Sequence, residues 1–419
     1  MEGPWPEQSA FDDIFRRHYR KIVSALLRQF GPAKLDSIES ATQEAFIKAI
    51  QLWPLKGRPE KPLHWLIRVA YNMVLDELNH SGRNIPVSEK EIGTSSIEPN
   101  SFFSDEVSDN ELRMFFLCCH PALSIESQVA FLLKTACGFS VSEIARAFLA
   151  SEETIAQRIV RAKQKLREEK IEFDLPPASE LSQRLEAVSL SLYLLFNEGY
   201  SSSEGDDLVR EELCDEAIFL TKELIRHSVG QDSKIYALMA LMLFHRARIN
   251  TRTDAFGNIL LLKHQDRKLW DQRFVQEGAK YLNLSVQQNS LSKFHLEAGI
   301  AACHVFAVTW EETDWAQILN YYELLERLSP SPVVTLNRIA VVLLKDGPKS
   351  AVHELEKVEK YLDGLKYYMY PAIVGEIHGQ LGSKQKSEHY FSQALKLART
   401  KSERSFLSKR LKEISRITK

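Results

Sequence analysis

The chain has 419 residues, of which 44% are hydrophobic and 26% charged, and its formal net charge is −2. Such a composition is typical of soluble globular proteins, and the length exceeds what one hydrophobic core holds, so we expect several domains. The longest apolar runs, such as 237–244, are too short to cross a membrane. Because the average charge is almost neutral, any nucleic-acid binding must depend on local clusters of charge.

The five cysteines (118, 119, 137, 214 and 303) are scattered along the chain. They form no CxxC pair and no zinc-ligand spacing, so we expect reduced core thiols, no bound metal and no cofactor. The first residues lack the charged-then-apolar order of a signal peptide. We therefore expect a cytoplasmic protein.

Three helices are predicted before residue 84, at 11–30, 35–53 and 62–83, from apolar residues that recur at helical spacing. Gly31-Pro32 ends the first helix, and a turn with several breakers separates the second from the third. No strand pattern interrupts them, so this part of the chain is predicted to be a compact all-α domain.

The third helix carries a polar stripe of unusual chemistry, opposite its apolar face. A solvated helix face usually mixes Lys and Glu, whereas this stripe holds an indole, a guanidinium and two carboxamides. These are groups that stack on unpaired bases and hydrogen-bond to base edges. The alternative is an ordinary amphipathic helix with a half-buried Trp. The stripe consists of Trp65, Arg68, Asn72, Asp76 and Asn79.

The segment 84–108 is rich in Ser, Glu, Asn and Pro and has no periodicity. Residues 86–111 hold seven acidic residues against Lys90 alone. Such a composition predicts a flexible acidic linker.

A second helical block follows, with apolar helices at 111–120 and 125–137. Ser140 and Glu143 fit a capping box that opens a short helix to about residue 148, and Ser151 is a suitable N-cap for one more helix. Short helix, tight turn and longer helix make a helix-turn-helix pattern.

The last helix of this block has the charge that DNA binding requires, with six Lys or Arg residues between 158 and 170 against two Glu. In a recognition helix the N-terminal exposed residues meet base edges and the later basic residues meet phosphates. A surface helix with i,i+4 ion pairs is the alternative, but it does not explain the capped helix and turn that precede it. The residues expected to face outward are Glu153, Thr154, Gln157, Arg158, Arg161 and Lys165.

Several short sequence motifs occur in order in these two blocks. They are Thr42-Gln43-Glu44-Ala45-Phe46, Trp53-Pro54, Trp65-Leu66 with Asn72, Asp76-Glu77-Leu78, Ser142-Glu143-Ile144-Ala145 and Gln157-Arg158. With these motifs, residues 11–83 resemble region 2 and residues 110–170 resemble region 4 of a bacterial sigma-70-type sigma factor of the extracytoplasmic function (ECF) group. Fewer acidic residues precede Gln43 than in most of the family, and fewer arginines follow the third helix.

The resemblance implies binding to core RNA polymerase, to the clamp helices of its β′ subunit and the flap of its β subunit, and to promoter DNA. The second helix would contact polymerase through Glu39, Gln43, Glu44 and Lys48. The −10 element would be opened by Trp65, Arg68, Asn72, Asp76, Asn79 and Arg83, with a base extruded into a protein pocket. The −35 element would be read by Ser151, Glu153, Thr154, Gln157, Arg158, Arg161 and Lys165. No enzymatic activity is implied.

The remainder of the chain is predicted to be helical, at 181–197, 213–227, 234–249 and 266–282, and then as paired helices. The best of these pairs is Tyr370–Ala398, where small residues would let two helices approach closely, as in a tetratricopeptide (TPR) repeat. This half resembles the TPR-like extension of one ECF subgroup, which implies regulation in cis by contact with the sigma domains. A small-molecule pocket at Asn197, Glu198, Tyr200 and Asp206 is weighed against a simple packed helix and loop.

The sequence thus predicts an all-α protein that directs promoter-specific initiation. The expected domains are region 2 (1–85), linker (86–109), region 4 (110–172), helical extension (173–290) and TPR-like repeats (291–419). One alternative is a helix-turn-helix regulator with a helical sensor domain that binds duplex DNA without acting as a sigma factor. An enzyme in the C-terminal half is a second alternative, but no Ser-His-Asp order, metal spacing or phosphate loop supports it. A pure repeat scaffold is the third, and it leaves the first 170 residues unexplained.

Overall fold

The computed structural model describes residues 8–80, 104–136, 138–147, 150–174, 178–201, 209–226, 230–254, 258–288, 290–362, 364–365, 367–398 and 400–416. The chain divides into two compact units, Met1–Leu195 and Phe196–Lys419. Within the described ranges the fold is all-α, and β pairing is limited to an isolated bridge between Thr253 and Ile259. The all-helical prediction is confirmed. No described helix is long and apolar enough to span a membrane.

The first unit is built from eight helices within its described residues. They are α1 (Gln8–Phe30), α2 (Leu35–Lys56), α3 (Pro62–His80), α4 (Ser104–Cys118), α5 (Ile125–Thr135), α6 (Val141–Ala147), α7 (Glu152–Glu168) and α8 (Ala178–Tyr200), the last of which continues into the second unit.

The helix ends in this unit follow from local sequence. Gly31 adopts φ 75°, a left-handed conformation that suits Gly, and so ends α1. The predicted capping box is formed, because the Ser140 amide donates to Glu143 Oε2 at 2.7 Å and the Glu143 amide donates to Ser140 Oγ at 3.1 Å. The Thr154 amide donates to Ser151 Oγ at 3.2 Å, which confirms Ser151 as the N-cap of α7.

Two helix boundaries differ from the prediction. The helix α4 begins at Ser104, so the predicted linker is helical over its last residues. Ser104 with the acidic pair Asp105-Glu106 suits a helix N-terminus, a local signal that the overall composition of the segment obscured. The predicted helix at 266–282 is instead a short 3-10 turn followed by α11 (Gln272–Ser285), because Asp271 caps a new helix by accepting from the Arg273 amide.

The helices α1, α2 and α3 pack on one another around a shared core. Ile22, Ile38 and Leu66, one from each helix, have no exposed surface. These positions belong to the apolar faces that the sequence predicted. The opposite faces of α2 and α3 are therefore left for other contacts.

The second unit is built from consecutive helices that pack on one another. Its helices, besides α11, are α9 (Glu211–Arg226), α10 (Ser233–Ala247), α12 (Lys293–Phe306), α13 (Trp315–Leu328), α14 (Pro332–Asp346), α15 (Pro348–Leu362), α16 (Met369–Gln380), α17 (Lys384–Leu397) and α18 (Lys401–Arg416).

Glycines allow the closest of these helix contacts. A Cβ on Gly375 of α16 would lie 2.8 Å from the Phe391 ring of α17, and a Cβ on Gly299 of α12 would lie 2.8 Å from the Tyr321 ring of α13. The close approach of two helices that the small residues in 370–398 predicted is thus present in the fold.

Candidate nucleic-acid and polymerase interface

The polar stripe of α3 lies on an open face of the first unit. Arg68, Asn72, Asp76 and Asn79 are exposed. Trp65 is half-buried, and its ring meets that of Trp53 edge to face with centroids 5.4 Å apart. The Trp65 indole is thereby held at one end of the stripe in a fixed orientation, while the four polar side chains extend into solvent. Arg83, also predicted to contact the −10 element, lies outside the described residues.

The exposed face of α2 combines polar and apolar side chains. Gln43 is exposed, and Glu44 and Lys48 are half-buried. Ile47 and Ile50, which the sequence analysis did not select, are 44% and 45% exposed. Two exposed isoleucines one turn apart beside a Gln are typical of a protein-binding surface.

Glu39, in contrast, does not lie on that open face. It is 9% exposed, and its carboxylate accepts from Lys163 Nζ of α7 at 2.5 Å and from Thr135 Oγ1 of α5 at 3.1 Å. Lys163 Nζ also lies 2.9 Å from Asp36, which is paired with Arg167 as well. These five residues, Asp36, Glu39, Thr135, Lys163 and Arg167, form what we call the α2–α7 clasp.

Two further ion pairs join α1 to later parts of the first unit. Arg20 Nε of α1 lies 3.1 Å from Glu111 Oε1 of α4, and both side chains are almost fully buried. Arg28 Nη1, near the end of α1, lies 2.9 Å from Asp174, which follows α7. In this arrangement the region 2 helices and the helix-turn-helix are therefore packed together.

The helix-turn-helix consists of α6 and α7. Ile155, Ile159, Ala162 and Leu166 are buried. On the outer face Ser151, Glu153, Thr154, Gln157 and Arg161 are exposed, and Arg158 and Lys165 are half-buried. Phe148, where the short helix was predicted to end, and Leu149, in the predicted turn, lie outside the described residues.

The recognition-helix candidates thus share one face, and some of their basic groups have local partners. Lys165 Nζ lies 2.8 Å from Glu169 of the same helix. Arg161 extends from the exposed face, one turn beyond Gln157. The chemistry of the face, with hydroxyl, amide and guanidinium groups in order, suits base edges first and phosphates further along.

Comparison with known families assigns the same two regions. Residues 14–84 match sigma-70 region 2, residues 116–166 match sigma-70 region 4, and residues 184–286 match a family of unknown function (DUF6596). An uncharacterised protein of Rhizobium meliloti strain 1021 is 37% identical over 94% of this chain and 93% of its own length. No solved structure is similar enough to match.

Smaller relatives match part of the chain. The ECF RNA polymerase sigma-E factor of Escherichia coli K12 is 28% identical over 38% of this chain and 85% of its own length. The sigma-E factor of Salmonella typhimurium LT2 is 27% identical over the same shares.

A region 2 helical bundle followed by a region 4 helix-turn-helix defines a sigma-70-type factor. The chain belongs to the ECF group of the sigma-70 family, with a helical extension after the sigma core. It is a sigma factor for transcription initiation, and membership implies that it binds core RNA polymerase and promoter DNA. The families that define it are not enzyme families, and the alternative of a regulator without sigma activity is not favoured.

Proposed function

We propose that the α3 stripe holds the unpaired strand of the −10 element. Four of its described side chains are exposed along one line, and Trp65 stands at the end with a ring that can stack on a base. Asn72 and Asn79 provide donors and acceptors for base edges, and Arg68 provides a charge for phosphate. Arg83 is included in this proposal only because of the family resemblance, since it lies outside the described residues.

We further propose that α7 reads the −35 element in the major groove. Ser151, Glu153, Thr154 and Gln157, near its N-terminus, would contact base edges, and Arg158, Arg161 and Lys165 would contact phosphates or guanines. The support is that most of these side chains are exposed on a single face.

Core polymerase would dock on the open face of α2. Gln43, Glu44 and Lys48 belong to the predicted contact with the clamp helices of β′, and we add Ile47 and Ile50 because of their exposure. Glu39 can take part only after its contacts with Lys163 and Thr135 are broken. The flap of β remains the proposed partner of region 4.

The α2–α7 clasp implies that the sigma core opens when it binds a promoter. The −10 and −35 elements are about 25 base pairs apart, which is about 85 Å of duplex at about 3.4 Å per base pair. A compact unit of about 195 residues has a radius of gyration of about 16 Å. A closed clasp would leave α3 and α7 too near each other to reach both elements at once.

The remaining proposals concern where the protein acts and how its sigma core is regulated. A factor that works with bacterial polymerase would act in the cytoplasm. The domain division into 1–85, 86–109, 110–172, 173–290 and 291–419 stays a proposal, as does regulation of the sigma core by the helical extension.

The test is in-vitro transcription with the full chain and bacterial core polymerase, on promoters taken from upstream of its own gene. We expect discrete transcripts that require the protein. Asn72→Ala should leave polymerase binding unchanged and abolish permanganate reactivity at −10 thymines. Glu77→Gln is the matched control, because Glu77 is exposed on α3 but lies outside the stripe. Unchanged −10 reactivity in the Asn72 variant would remove the strand-binding role.

A further inference from the structure

A cluster of basic and aromatic side chains lies inside the second unit, around the end of α10. The cluster, which we call the Arg248–Arg252 cluster, consists of Tyr200, His245, Arg248, Arg252 and His304. The Arg252 guanidinium carbon is 3.7 Å from the centre of the Tyr200 ring, and that of Arg248 is 5.6 Å from the same centre. The rings of Tyr200 and His245 are 4.8 Å apart, and Arg248 Nη2 is 3.5 Å from His245 Nδ1.

Among the residues that the structure describes, no carboxylate balances the positive charge of this cluster. Within the described ranges, neither Arg248 nor Arg252 forms an ion pair with a carboxylate. Arg267 adds a third guanidinium nearby, and it is bonded to the carbonyl oxygens of His304 and Ala307 at 2.6 and 2.7 Å. Two guanidinium groups therefore share one tyrosine ring without a counter-ion among the described side chains.

Three buried polar atoms of the cluster also have no hydrogen-bond partner in the described part of the chain. Arg252 Nη1, the Tyr200 hydroxyl and His304 Nδ1 are buried and have no partner in the described structure. Burial, and next the charges of Arg248 and Arg267, lower the pKa of His304 to about 3, so this ring is neutral near pH 7. Burial and the charge of Arg248 likewise lower the pKa of Arg252. Unpaired buried charge is costly, and folded proteins normally neutralise it.

The unpartnered atoms are buried, but the residues that carry them each keep some exposed surface. All five residues of the cluster are only partly buried, so part of each remains in contact with solvent. The planar fork of Arg matches the two oxygens of a carboxylate or a phosphate, and two such forks close together can hold one oxyanion from two sides. A tyrosine hydroxyl adds a neutral donor.

We infer that Arg248 and Arg252 form a binding site for a small oxyanion, the phosphate or carboxylate group of a ligand, with Tyr200 as a further donor. Tyr200, His245, Arg248 and Arg252 lie in the part of the chain that matches the family of unknown function. His304 lies beyond that part, in α12. Its ligand would be a chemical signal delivered to the helical extension. The inference does not depend on the proposed contacts with promoter DNA, because its test measures binding to the protein alone.

The test is a thermal unfolding titration of the full chain, in HEPES with chloride at constant ionic strength. One arm adds inorganic phosphate and the other adds benzoate, so that the two sources of oxyanion are distinguished. We expect the unfolding temperature to rise saturably in at least one arm. Arg252→Met should weaken that apparent affinity about tenfold or more, as expected for a lost charge-assisted hydrogen bond.

Two comparisons keep a structural role separate from ligand binding. Arg273→Met is the matched control, because Arg273 is in the same unit and its side chain is 89% exposed; it should keep the full response. In chloride alone, Arg252→Met should be at least as stable as the wild type, because it removes an uncompensated charge. A variant that is less stable but still responds to the anion would assign Arg252 a packing role and overturn the site.

The last outcome of the titration concerns whether carboxylates of the chain itself neutralise the Arg248–Arg252 cluster. Glu204, Asp206 and Asp207 are close in sequence to Tyr200 and lie outside the described residues. A wild-type protein that responds to neither phosphate nor benzoate, while the triple variant E204Q/D206N/D207N does respond, would mean that the chain neutralises its own cluster. That result would overturn the proposal of an external ligand.

Discussion

The α2–α7 clasp gives the most direct prediction, through the substitution Lys163→Met. Lys163 Nζ lies 2.5 Å from Glu39 Oε2 and 2.9 Å from Asp36 Oδ1. Methionine keeps much of the length and the apolar stem of lysine but removes the charge. Glu39 would keep Thr135 as a donor, and Asp36 would keep Arg167.

The magnitude follows from the burial of the partners. The side chains of Lys163 and Glu39 are only 15% and 12% exposed, whereas that of Asp36 is 56% exposed. Removing one member of a buried ion pair costs about 3–5 kcal/mol, and an exposed pair contributes about 0–1 kcal/mol. Because Glu39 retains one donor, we expect the closed arrangement to lose about 2–3 kcal/mol. A loss of 2 kcal/mol is about a thirtyfold shift toward the open form.

Hydrogen exchange of the amides in α5 and α7 is the suitable assay, because it reports local opening without unfolding the whole chain. The amides of these helices should exchange faster in Lys163→Met. Lys165→Met is the control, since Lys165 pairs with Glu169 inside α7 and not with α2. A double-mutant cycle with Glu39→Gln isolates the pair. A coupling energy below about 0.5 kcal/mol would refute the assignment of the clasp to this contact.

Three further predictions concern separate parts of the chain. Gly375→Ala places a Cβ 2.8 Å from the Phe391 ring, so it should lower the free energy of unfolding in urea by about 1–3 kcal/mol. Adding Phe391→Leu should restore part of this loss. An unchanged stability in the single variant would contradict the close packing. Because the pKa of His304 is about 3 in the folded chain and 6.5 ordinarily, the unfolded chain binds more protons between these values. Stability should therefore fall as pH is lowered from 6.5 toward 3, by at most about 1.4 kcal/mol per pH unit from this group, and His304→Gln should flatten the dependence of the urea midpoint on pH. Arg161→Ala should reduce transcription from promoters with an intact −35 element, by an amount that corresponds to a loss of about 1–3 kcal/mol in promoter-binding free energy. An equal loss on promoters with a mutated −35 element would mean that Arg161 does not read this element.

Much of the fold was determined by local sequence. The capping box at Ser140 and the N-cap at Ser151 were predicted from neighbouring residues, and both are formed. The stripe of α3 was predicted from helical spacing, and the four described polar members are exposed. Such features depend on residues within one or two turns of each other, so a linear pattern contains the required information.

Tertiary structure alone decided which of these faces stay open. Glu39 has the spacing of a surface residue near Gln43, yet a lysine 124 positions later covers it. The Arg248–Arg252 cluster likewise depends on Tyr200, which is distant in sequence but stacks on Arg252. Helical periodicity fixes the direction of a side chain from its own helix, whereas its partner depends on how distant helices pack. The sequence therefore determined the family, the helices and the candidate side chains, and the packing decided which of them are paired, buried or accessible.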